Sequence, residues 1–334
     1  MIKIALDGFG GDNSPNEIVK GAVRAVETAD GFSVVITGEQ QEIQALLHEY
    51  GYTGNRISIY HTTQIIGCDE EPTLAIRRKK DSSLVKGLEL LKTGECDGFI
   101  SAGSTGAVLA GGIFIVGRME GVKRPCLCPA LPTVRGGTVL LADCGANVDC
   151  KVEYLEQFFA LACGYAKAIN GVENPRVCLL SNGAEDEKGN DLIKETNKVF
   201  RSKPNFMGNI ESRYILSGDC DVVVADGFNG NIALKSAEGT ANAVFSLLKQ
   251  EIESSLRTKI GAGLMKPALK RIKKRMDYTE HGGAAFLGVK KPMVKLHGST
   301  KAKSVCAGIL QVKSMIENNL ISEMEKELAK SRDA

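Results

Sequence analysis

Glycines and polar side chains follow directly after several apolar strand-like runs of this sequence. The stretch most typical of a site is Ser101 to Ala107, where Gly103 and Gly106 let the backbone turn and approach a ligand closely. Ser104 and Thr105 add hydroxyls beside the free N–H groups of a starting helix, an arrangement that binds anions such as phosphate. The alternative is that these two residues only cap the helix. The local pattern leaves both interpretations open.

A second stretch of this kind, Asp143 to Lys151, follows the strand predicted at Thr138 to Ala142. Ligands of parallel sheets bind beyond the carboxyl ends of the strands. We therefore predict Asp143, Asn147 and Lys151 as catalytic residues. Asp143 could instead cap the following helix, although an Asp, an Asn and a Lys together exceed what a cap needs.

A third group of candidates follows the strand predicted at Asp221 to Ala225. Gly227, Gly230 and Asn231 are predicted to form a phosphate-binding turn before a helix that begins near Ile232. Another polar loop follows a strand that ends at residue 180. Several such turns at one sheet edge indicate a cleft that holds an anion.

Three cationic or titratable side chains near these turns are further candidates. Arg77 and Arg78 belong to a run of four cations before a helix, and Arg binds phosphate oxygens bidentately. The alternative for that run is an ordinary solvated charge cluster. His297, at the end of a predicted strand, is a candidate general acid or base or an anion ligand. Helix capping by His297 remains an equal alternative.

The elements that must position these residues alternate between strands and helices from the first residue onward. This order predicts an α/β protein with a mainly parallel, mixed sheet covered by helices. At 334 residues, the chain is expected to form one large unit of two intertwined lobes over residues 1–334. The opening Gly8 and Gly10 lack the third glycine of a dinucleotide fingerprint, so a nucleotide fold of that type is disfavoured.

Composition limits the kind of protein and its partners. No stretch has the length of about 20 apolar residues that a membrane span needs, so we expect a cytoplasmic protein. The ten cysteines are scattered through apolar patterns, which favours reduced core residues and no metal site. A net charge of only +2 argues against nucleic acid as a partner.

Residues 250–280 depart from this pattern and are predicted to form a protruding, basic, amphipathic helical hairpin. Its tip is expected at Gly261 to Pro267, exposing Leu264 and Met265. Such a device suits an anionic lipid surface or an acidic partner protein; the alternatives are a dimer interface or a solvated helix. The cations predicted to make the contact are Lys266, Lys270, Arg271, Lys273, Lys274 and Arg275.

Short motifs in a fixed order cover nearly the whole chain. They are Asp7-Gly-Phe-Gly-Gly-Asp-Asn, Ile76-Arg-Arg-Lys-Lys-Asp-Ser-Ser, Ser101-Ala-Gly-Ser-Thr-Gly-Ala, Asp143-Cys-Gly-Ala-Asn-Val-Asp-Cys-Lys, Phe206-Met-Gly-Asn-Ile-Glu, Asp226-Gly-Phe-Asn-Gly-Asn-Ile-Ala-Leu-Lys, Gly282-Gly-Ala and His297-Gly-Ser. This set resembles the PlsX family of bacterial acyl-carrier-protein:phosphate acyltransferases. After the strand that ends at residue 180, the sequence Ser181-Asn-Gly-Ala-Glu differs from the motif typical of the family. We therefore transfer no functional role from the family to Glu185.

The resemblance implies an enzyme of phospholipid synthesis in which inorganic phosphate attacks the thioester of a fatty acyl-carrier protein and yields acyl phosphate. It further implies a homodimer with a three-layer α/β/α sandwich like that of isocitrate and isopropylmalate dehydrogenases. It also implies that no metal or other cofactor is needed and that the protein associates peripherally with anionic membranes.

This chemistry needs little acid–base help, because phosphate is already a nucleophile and a thiolate is a good leaving group. We expect positioning and oxyanion stabilisation to dominate, with Asn147, Lys151 and His297 as candidates. The alternatives are a phosphate acetyltransferase that uses acyl-CoA and a non-enzymatic protein that binds lipid surfaces. A decarboxylating dehydrogenase would need a metal-binding carboxylate cluster and a nucleotide loop, neither of which can be assembled from the sequence.

Overall fold

The computed structural model describes residues 1–276 and 282–333, without the side chains of Lys273, Lys274, Met276 and residues 332–333. The strands are β1 (Ile2–Asp7), β2 (Phe32–Gly38), β3 (Ile57–His61), β4 (Gly98–Ser101), β5 (Cys126–Cys128), β6 (Ala130–Pro132), β7 (Thr138–Ala142), β8 (Val177–Ser181), β9 (Phe206–Glu211), β10 (Val222–Val224), β11 (Ala284–Leu287) and β12 (Met293–Lys295). The helices are α1 (Asn16–Thr28), α2 (Gln40–Glu49), α3 (Pro72–Arg78), α4 (Ser83–Thr93), α5 (Thr105–Gly111), α6 (Val152–Asn170), α7 (Asp191–Phe200), α8 (Gly227–Glu253), α9 (Leu256–Met276), α10 (Ala302–Glu317) and α11 (Leu320–Asp333). A π-helix, Gly112–Val116, continues α5, and a 3-10 helix spans Ser212–Ser217.

The strands form two sheets. The first has the order β3-β2-β1-β4-β12-β11-β5 and the second has the order β6-β7-β10-β8-β9. Most neighbours are parallel; the antiparallel pairs are β11 with β12, β11 with β5, and β6 with β7. The chain between β5 and β11 builds the whole second sheet, so the polypeptide leaves the first lobe and later returns to it. The predicted α/β architecture with a mainly parallel, mixed sheet is confirmed.

Helices cover both faces of the first sheet. Alternate residues of a strand point to opposite faces, and in β1 the side chains of Ile4 and Leu6 pack into a core cluster with α1 and α10. Ala5, between them, packs into a second cluster with residues of α4. The central strands are buried on both faces, which is why their sequences are continuous apolar runs rather than alternating ones.

The two lobes share one hydrophobic core through α6. Its Phe158 is fully buried and belongs to the same cluster as Leu140 of the second sheet and Leu287 of the first. The opposite face of the second sheet packs against the first turns of α8 through Leu234. The lobes are therefore one packed body. The cleft is the region between their strand ends, where Lys235 of α8 lies near Lys295 and His297.

The structure corrects two predicted boundaries in the hairpin region. Helix α8 begins at Gly227 instead of near Ile232, because the Asp226 carboxylate accepts a hydrogen bond from the Asn229 N–H at 2.9 Å and caps the helix there. The turn of the hairpin lies between α8 and α9, where Ser255 Oγ accepts from the Thr258 N–H at 3.2 Å.

The predicted tip at Gly261 to Pro267 was therefore wrong, since α9 runs through it with Pro267 inside the helix. Leu264 and Met265 are nevertheless 83% and 56% exposed. Lys266, Lys270 and Arg271 are exposed as well. Arg275 differs from them because it donates a hydrogen bond to the Val134 carbonyl at 3.4 Å. The predicted contacts of Lys273 and Lys274, and residues 277–280 of the hairpin, lie outside the described residues.

None of the helices in the described part of the chain is both long and apolar enough to cross a lipid bilayer.

Candidate active site

A buried charged cluster lies at the carboxyl ends of three neighbouring parallel strands, β1, β4 and β12. Asp7 Oδ2 accepts a hydrogen bond from Ser101 Oγ at 2.7 Å. The Lys295 ammonium donates to the Ala102 carbonyl at 3.3 Å and to its neighbouring carbonyl at Leu296. Asp7, Ser101 and Lys295 are 1%, 0% and 7% exposed. A carboxylate and an ammonium are therefore buried at the sheet edge where ligands of parallel sheets bind.

Burial shifts the proton equilibria of both charged groups. Desolvation raises the pKa of Asp7, against the hydrogen bonds from Ser83 and Ser101. Desolvation likewise lowers the pKa of Lys295 to about 8, while the nearby Asp7 favours its charged form. An anion in the cleft would favour the charged ammonium further. Lys295 is therefore a cation that a bound anion can stabilise.

Three glycine-containing loops close around this cluster. A Cβ atom on Gly10 would lie 2.6 Å from both Asp7 Oδ2 and the Gly103 nitrogen, so only glycine fits there. The Asp12 N–H donates to the Gly298 carbonyl at 2.8 Å, which ties the first loop to the turn after β12. The loops after β1, β4 and β12 thus form one wall of the cleft.

The turn Gly103 to Gly106 has the cap that the sequence suggested. Ser104 Oγ accepts a hydrogen bond from the Ala107 N–H at 3.4 Å, and Gly103 donates its N–H to Ser101 Oγ at 3.0 Å. The N–H groups of Thr105 and Gly106 stand in the first turn of α5, where no carbonyl one turn earlier can accept from them. The capping interpretation of Ser104 is correct, and anion binding by the turn stays a prediction.

Asp143 and Asn147 are engaged in holding the lobes together. The Asp143 carboxylate accepts hydrogen bonds from the N–H groups of Leu127, Ala146 and Asn147 at 2.8, 3.2 and 2.7 Å, and from Asn147 Nδ2 at 2.9 Å. Asn147 Nδ2 also donates to the Pro125 carbonyl at 2.8 Å. Burial raises the pKa of Asp143 to about 6. These hydrogen bonds connect the end of β7 to β5, and the catalytic role predicted for Asp143 and Asn147 stays a prediction.

The glycines of the third candidate group serve packing. The Gly227 N–H donates to the Asn147 carbonyl at 2.8 Å and the Gly230 N–H to the Asp226 carbonyl at 2.9 Å, so neither N–H is free for phosphate. A Cβ on Gly230 would come within 1.9 Å of the Asp143 carbonyl oxygen, which explains the glycine. Asn231 is exposed beside Gly145 and remains available to a ligand.

His297 is exposed just beyond the end of β12. Its Nδ1 lies 2.9 Å from Ser299 Oγ and accepts a hydrogen bond from the Ser299 N–H at 3.2 Å, so in the neutral ring the proton would be on Nε2. Partial burial, and then the charge of Lys235, lower the pKa of His297. Lys235 belongs to α8 and pairs with Glu238 at 2.7 Å, which places a cation of the second lobe opposite the first.

The remaining predicted cations are exposed. Lys151 stands immediately before α6, and Arg77 and Arg78 occupy the last turn of α3, where positive charge suits the helix dipole. None of the three side chains has a hydrogen bond or ion pair within the described residues. The first residue of α3, Pro72, lies next to the turn at Gly106. Arg77 and Arg78 are at the other end of this helix.

The charged side chains that sequence reasoning missed are Asp7, Lys295 and Lys235. Lys295 carried the clearest signal, since it is the last residue of a strand predicted from its apolar neighbours. A lysine at the buried end of a strand is a candidate functional group. Its partners could not be identified, because Asp7 lies far away along the chain.

The fold is similar to that of two solved structures. It aligns with a phosphotransacetylase from Streptococcus pyogenes at a TM-score of 0.61, with 17% identity over 96% of this chain and 94% of that one. The EutD phosphotransacetylase from Staphylococcus aureus aligns at a TM-score of 0.59, with 16% identity over 95% and 94% of the two chains. At such low identity the likeness shows the fold alone.

The sequence is much closer to a particular family. The model of the fatty acid synthesis protein family matches residues 2–323, and the chain belongs to this family. It is 46% identical over 331 residues to a phosphate acyltransferase from Bacillus cereus (strain B4264), covering 98% of this chain and 99% of the relative. A phosphate acyltransferase from Clostridium botulinum (strain Alaska E43 / Type E3) is 48% identical over 332 residues, with the same coverage. The resemblance to the PlsX family is confirmed.

Proposed function

We propose that this protein transfers a fatty acyl group from the thioester of acyl-carrier protein to inorganic phosphate, giving acyl phosphate for phospholipid synthesis. Membership of the fatty acid synthesis protein family and relatives named phosphate acyltransferase support acyl transfer to phosphate. The structural observation that carries the proposal is the buried Lys295 ammonium at the edge of the cleft. Two of its three N–H groups donate to carbonyl oxygens, which leaves one for an anion.

In the proposed reaction, a phosphate oxygen attacks the carbonyl carbon of the thioester. The new C–O bond forms, the carbon–sulfur bond breaks with its electron pair on sulfur, and the thiolate takes up a proton from solvent. Lys295 and the N–H groups of Thr105 and Gly106 hold the phosphate, as an ammonium and a helix start do. His297 Nε2–H stabilises the negative charge that develops on the carbonyl oxygen.

Residues of the second lobe complete the proposed site. Lys151 and Asn231 are exposed on that lobe and stay candidates for contact with phosphate or with the developing oxyanion. Asp143 and Asn147 set the spacing of the two lobes through their buried hydrogen bonds. Holding phosphate and thioester in the geometry of attack contributes much of the rate enhancement of a reaction between two bound reactants. Asp143 and Asn147 therefore support catalysis by positioning the two lobes, without contact to the substrate.

We assign membrane contact to α9. Between Leu256 and Met276 the helix has no acidic residue, and it exposes Leu264 and Met265 beside Lys266 and Lys270. Apolar side chains flanked by uncompensated cations bind anionic lipid surfaces. An acyl phosphate is a lipid-like product, so an enzyme seated on the membrane would release it where it is used.

We further propose a homodimer that buries one face of α8. Val244, Leu247 and Leu248 recur at helical spacing and are 57%, 60% and 40% exposed. The same face borders an apolar groove of about 1070 Å³ under the α8–α9 hairpin. Obligate dimer interfaces are hydrophobic in this way, so a second copy is the occupant that we assign to this face.

The decisive experiment measures the release of free carrier-protein thiol from palmitoyl-carrier protein with and without inorganic phosphate. We expect release only when phosphate is present, with acyl phosphate formed in equal amount. Thiol release at the same rate with and without phosphate would indicate a thioesterase and would refute the proposal. Acetyl-CoA, used as a second donor, tests the phosphate acetyltransferase alternative, which predicts a preference for that short donor.

A further inference from the structure

A second groove, of about 660 Å³, is lined by the start of α3, by α5 with the π-helix that continues it, and by residues between Arg118 and Arg124. Its lining includes Gly106, in the turn proposed to bind phosphate, and the three cations Arg118, Lys123 and Arg124. The floor consists of α5 and the π-helix that continues it. Gly106 and Phe114 are separated by about 12 Å along this helical segment at the usual rise per residue.

The floor of the groove exposes an aromatic side chain. Phe114 is 63% exposed, although its π-helix neighbour Val116 is buried. π-helical turns occur frequently at functional sites. Exposed aromatic residues act as anchors of protein interfaces when a partner covers them.

Two of the cations that line the groove, Arg118 and Arg124, have no carboxylate partner among the described residues. Arg124 has no hydrogen bond or ion pair within residues 1–276 and 282–333. Arg118 donates to the Lys123 carbonyl, not to a carboxylate. Lys290 adds a further cation, since its side chain lies 3.6 Å from where a Cβ of Gly117 would stand.

The carboxylates of the groove are already engaged. Glu71 caps α3 by accepting from the N–H groups of Thr73 and Leu74. Glu153 pairs with the Lys123 ammonium. The surface around Phe114 therefore offers positive charge to an acidic partner, and the apolar floor suits one face of a helix.

We infer that this groove is the docking surface for an acidic helix of the carrier protein that brings the acyl group, and that its thioester arm reaches the cleft along α5. The inference rests on the proposed function and names the partner surface of that site. The sequence analysis assigned both lipid contact and contact with an acidic protein to the basic hairpin. The inference divides these two roles, because α9 contacts lipid and the groove beside Phe114 contacts the carrier protein.

The test compares two acyl donors on three variants at saturating phosphate. Palmitoyl-carrier protein needs the docking surface, whereas palmitoyl-pantetheine has the same thioester arm without the protein. For Arg124→Glu and Phe114→Ala we expect kcat/KM to fall about tenfold with palmitoyl-carrier protein and to change less than about twofold with palmitoyl-pantetheine. The matched control Lys259→Glu, an exposed charge reversal on α9, should change neither value.

Equal losses with both donors, or no loss with either, would overturn the inference. So would a loss of carrier-protein activity in Lys259→Glu that Arg124→Glu does not show. A separate titration measures the binding of thiol-form carrier protein to each variant by calorimetry at low and high salt. We expect the wild type to bind more weakly as salt rises and Arg124→Glu to have lost most of that salt dependence.

The binding titration also separates this inference from the proposed function. If the wild type releases no thiol from either donor, the proposed reaction fails, and the titration still decides whether Arg124 and Phe114 dock the carrier protein. Unimpaired binding by both variants would refute the docking surface even if the reaction is confirmed.

Discussion

At the scale of single residues, the proposed site centres on a buried lysine whose ammonium donates only to carbonyl oxygens among the described residues. The Lys295 ammonium is desolvated at the end of β12, and the nearby carboxylate of Asp7 is hydrogen-bonded to Ser101. Burying a cation without a charged partner costs free energy. A phosphate that accepts the remaining hydrogen bond of the Lys295 ammonium would offset part of this cost when it binds. The same burial makes Lys295 responsive to pH near neutrality.

We predict that phosphate binding weakens at alkaline pH because Lys295 loses its proton. Burial lowers the pKa of Lys295 to about 8, so the charged form that attracts phosphate dominates below that pH and is lost above it. The KM for phosphate, measured from about pH 6.5 to 9.5, should rise by up to about tenfold per pH unit on the alkaline side.

Lys295→Arg is the matched variant, because the pKa of arginine lies far above this range and its charge persists. We expect the alkaline rise in KM to disappear in this variant, with the kcat at neutral pH lowered by the changed geometry. An unchanged alkaline rise in Lys295→Arg would assign the titration to another group.

At the scale of elements, α8 separates two surfaces of different chemistry. Lys235 and Glu238 lie on the face toward the cleft, whereas Val244 and Leu248 border the apolar groove. A helix of this length presents opposite faces to opposite surroundings when its residues alternate at helical spacing. Helix α9, by contrast, packs little against the body and exposes most of its described side chains.

The exposure of α9 predicts how the protein meets membranes. Replacing Leu264 and Met265 by Asp removes two apolar anchors and adds charge that anionic lipid repels, so sedimentation with anionic vesicles should fall about tenfold or more. Met207→Asp is the control, since Met207 is 60% exposed on another surface. Both variants should keep activity on a soluble donor. Unchanged sedimentation of the α9 variant would refute the assignment.

At the scale of the whole molecule, the two lobes cannot separate freely, because one core cluster runs through both and α6 lies within it. The cleft is therefore a fixed feature lined by strand ends of both sheets. The apolar groove of about 1070 Å³ under α8 is open in the single chain. It also borders Ser181 Oγ, a buried hydroxyl without a hydrogen-bond partner within the described residues.

We predict that the wild type sediments with twice the mass of one chain and that Leu247→Glu shifts it toward a single chain. A carboxylate at this exposed apolar position would be buried unpaired in the proposed interface. Lys249→Glu is the matched control, because Lys249 lies on the opposite face of α8 with its side chain 75% exposed. A monomeric wild type, or a dimer that survives Leu247→Glu, would contradict this interface.

Features that depend on neighbours along the chain were determined by the sequence alone. The apolar runs of β7 and β10, the polar turns after them and the order of elements predicted an α/β protein with its site at strand ends, and the motif order indicated the family. The wrong prediction of the hairpin tip also rested on residues that are neighbours along the chain. Gly261 and Pro267 predict a break in the helix, whereas the cap at Ser255 decides where α9 begins.

Only the tertiary structure decided which side chains meet. Ser101 joins Asp7 across 94 residues of chain, and Lys295 reaches the Ala102 carbonyl across 193. The tertiary structure also showed that the Asp143 carboxylate accepts hydrogen bonds from backbone N–H groups. It showed as well that Gly230 packs directly against the Asp143 carbonyl oxygen, where no side chain fits. Sequence periodicity and caps report local backbone preferences, whereas hydrogen-bond partners and burial are set by contacts between distant segments. For that reason the strand ends could be predicted, whereas the partners of the buried lysine among them could not.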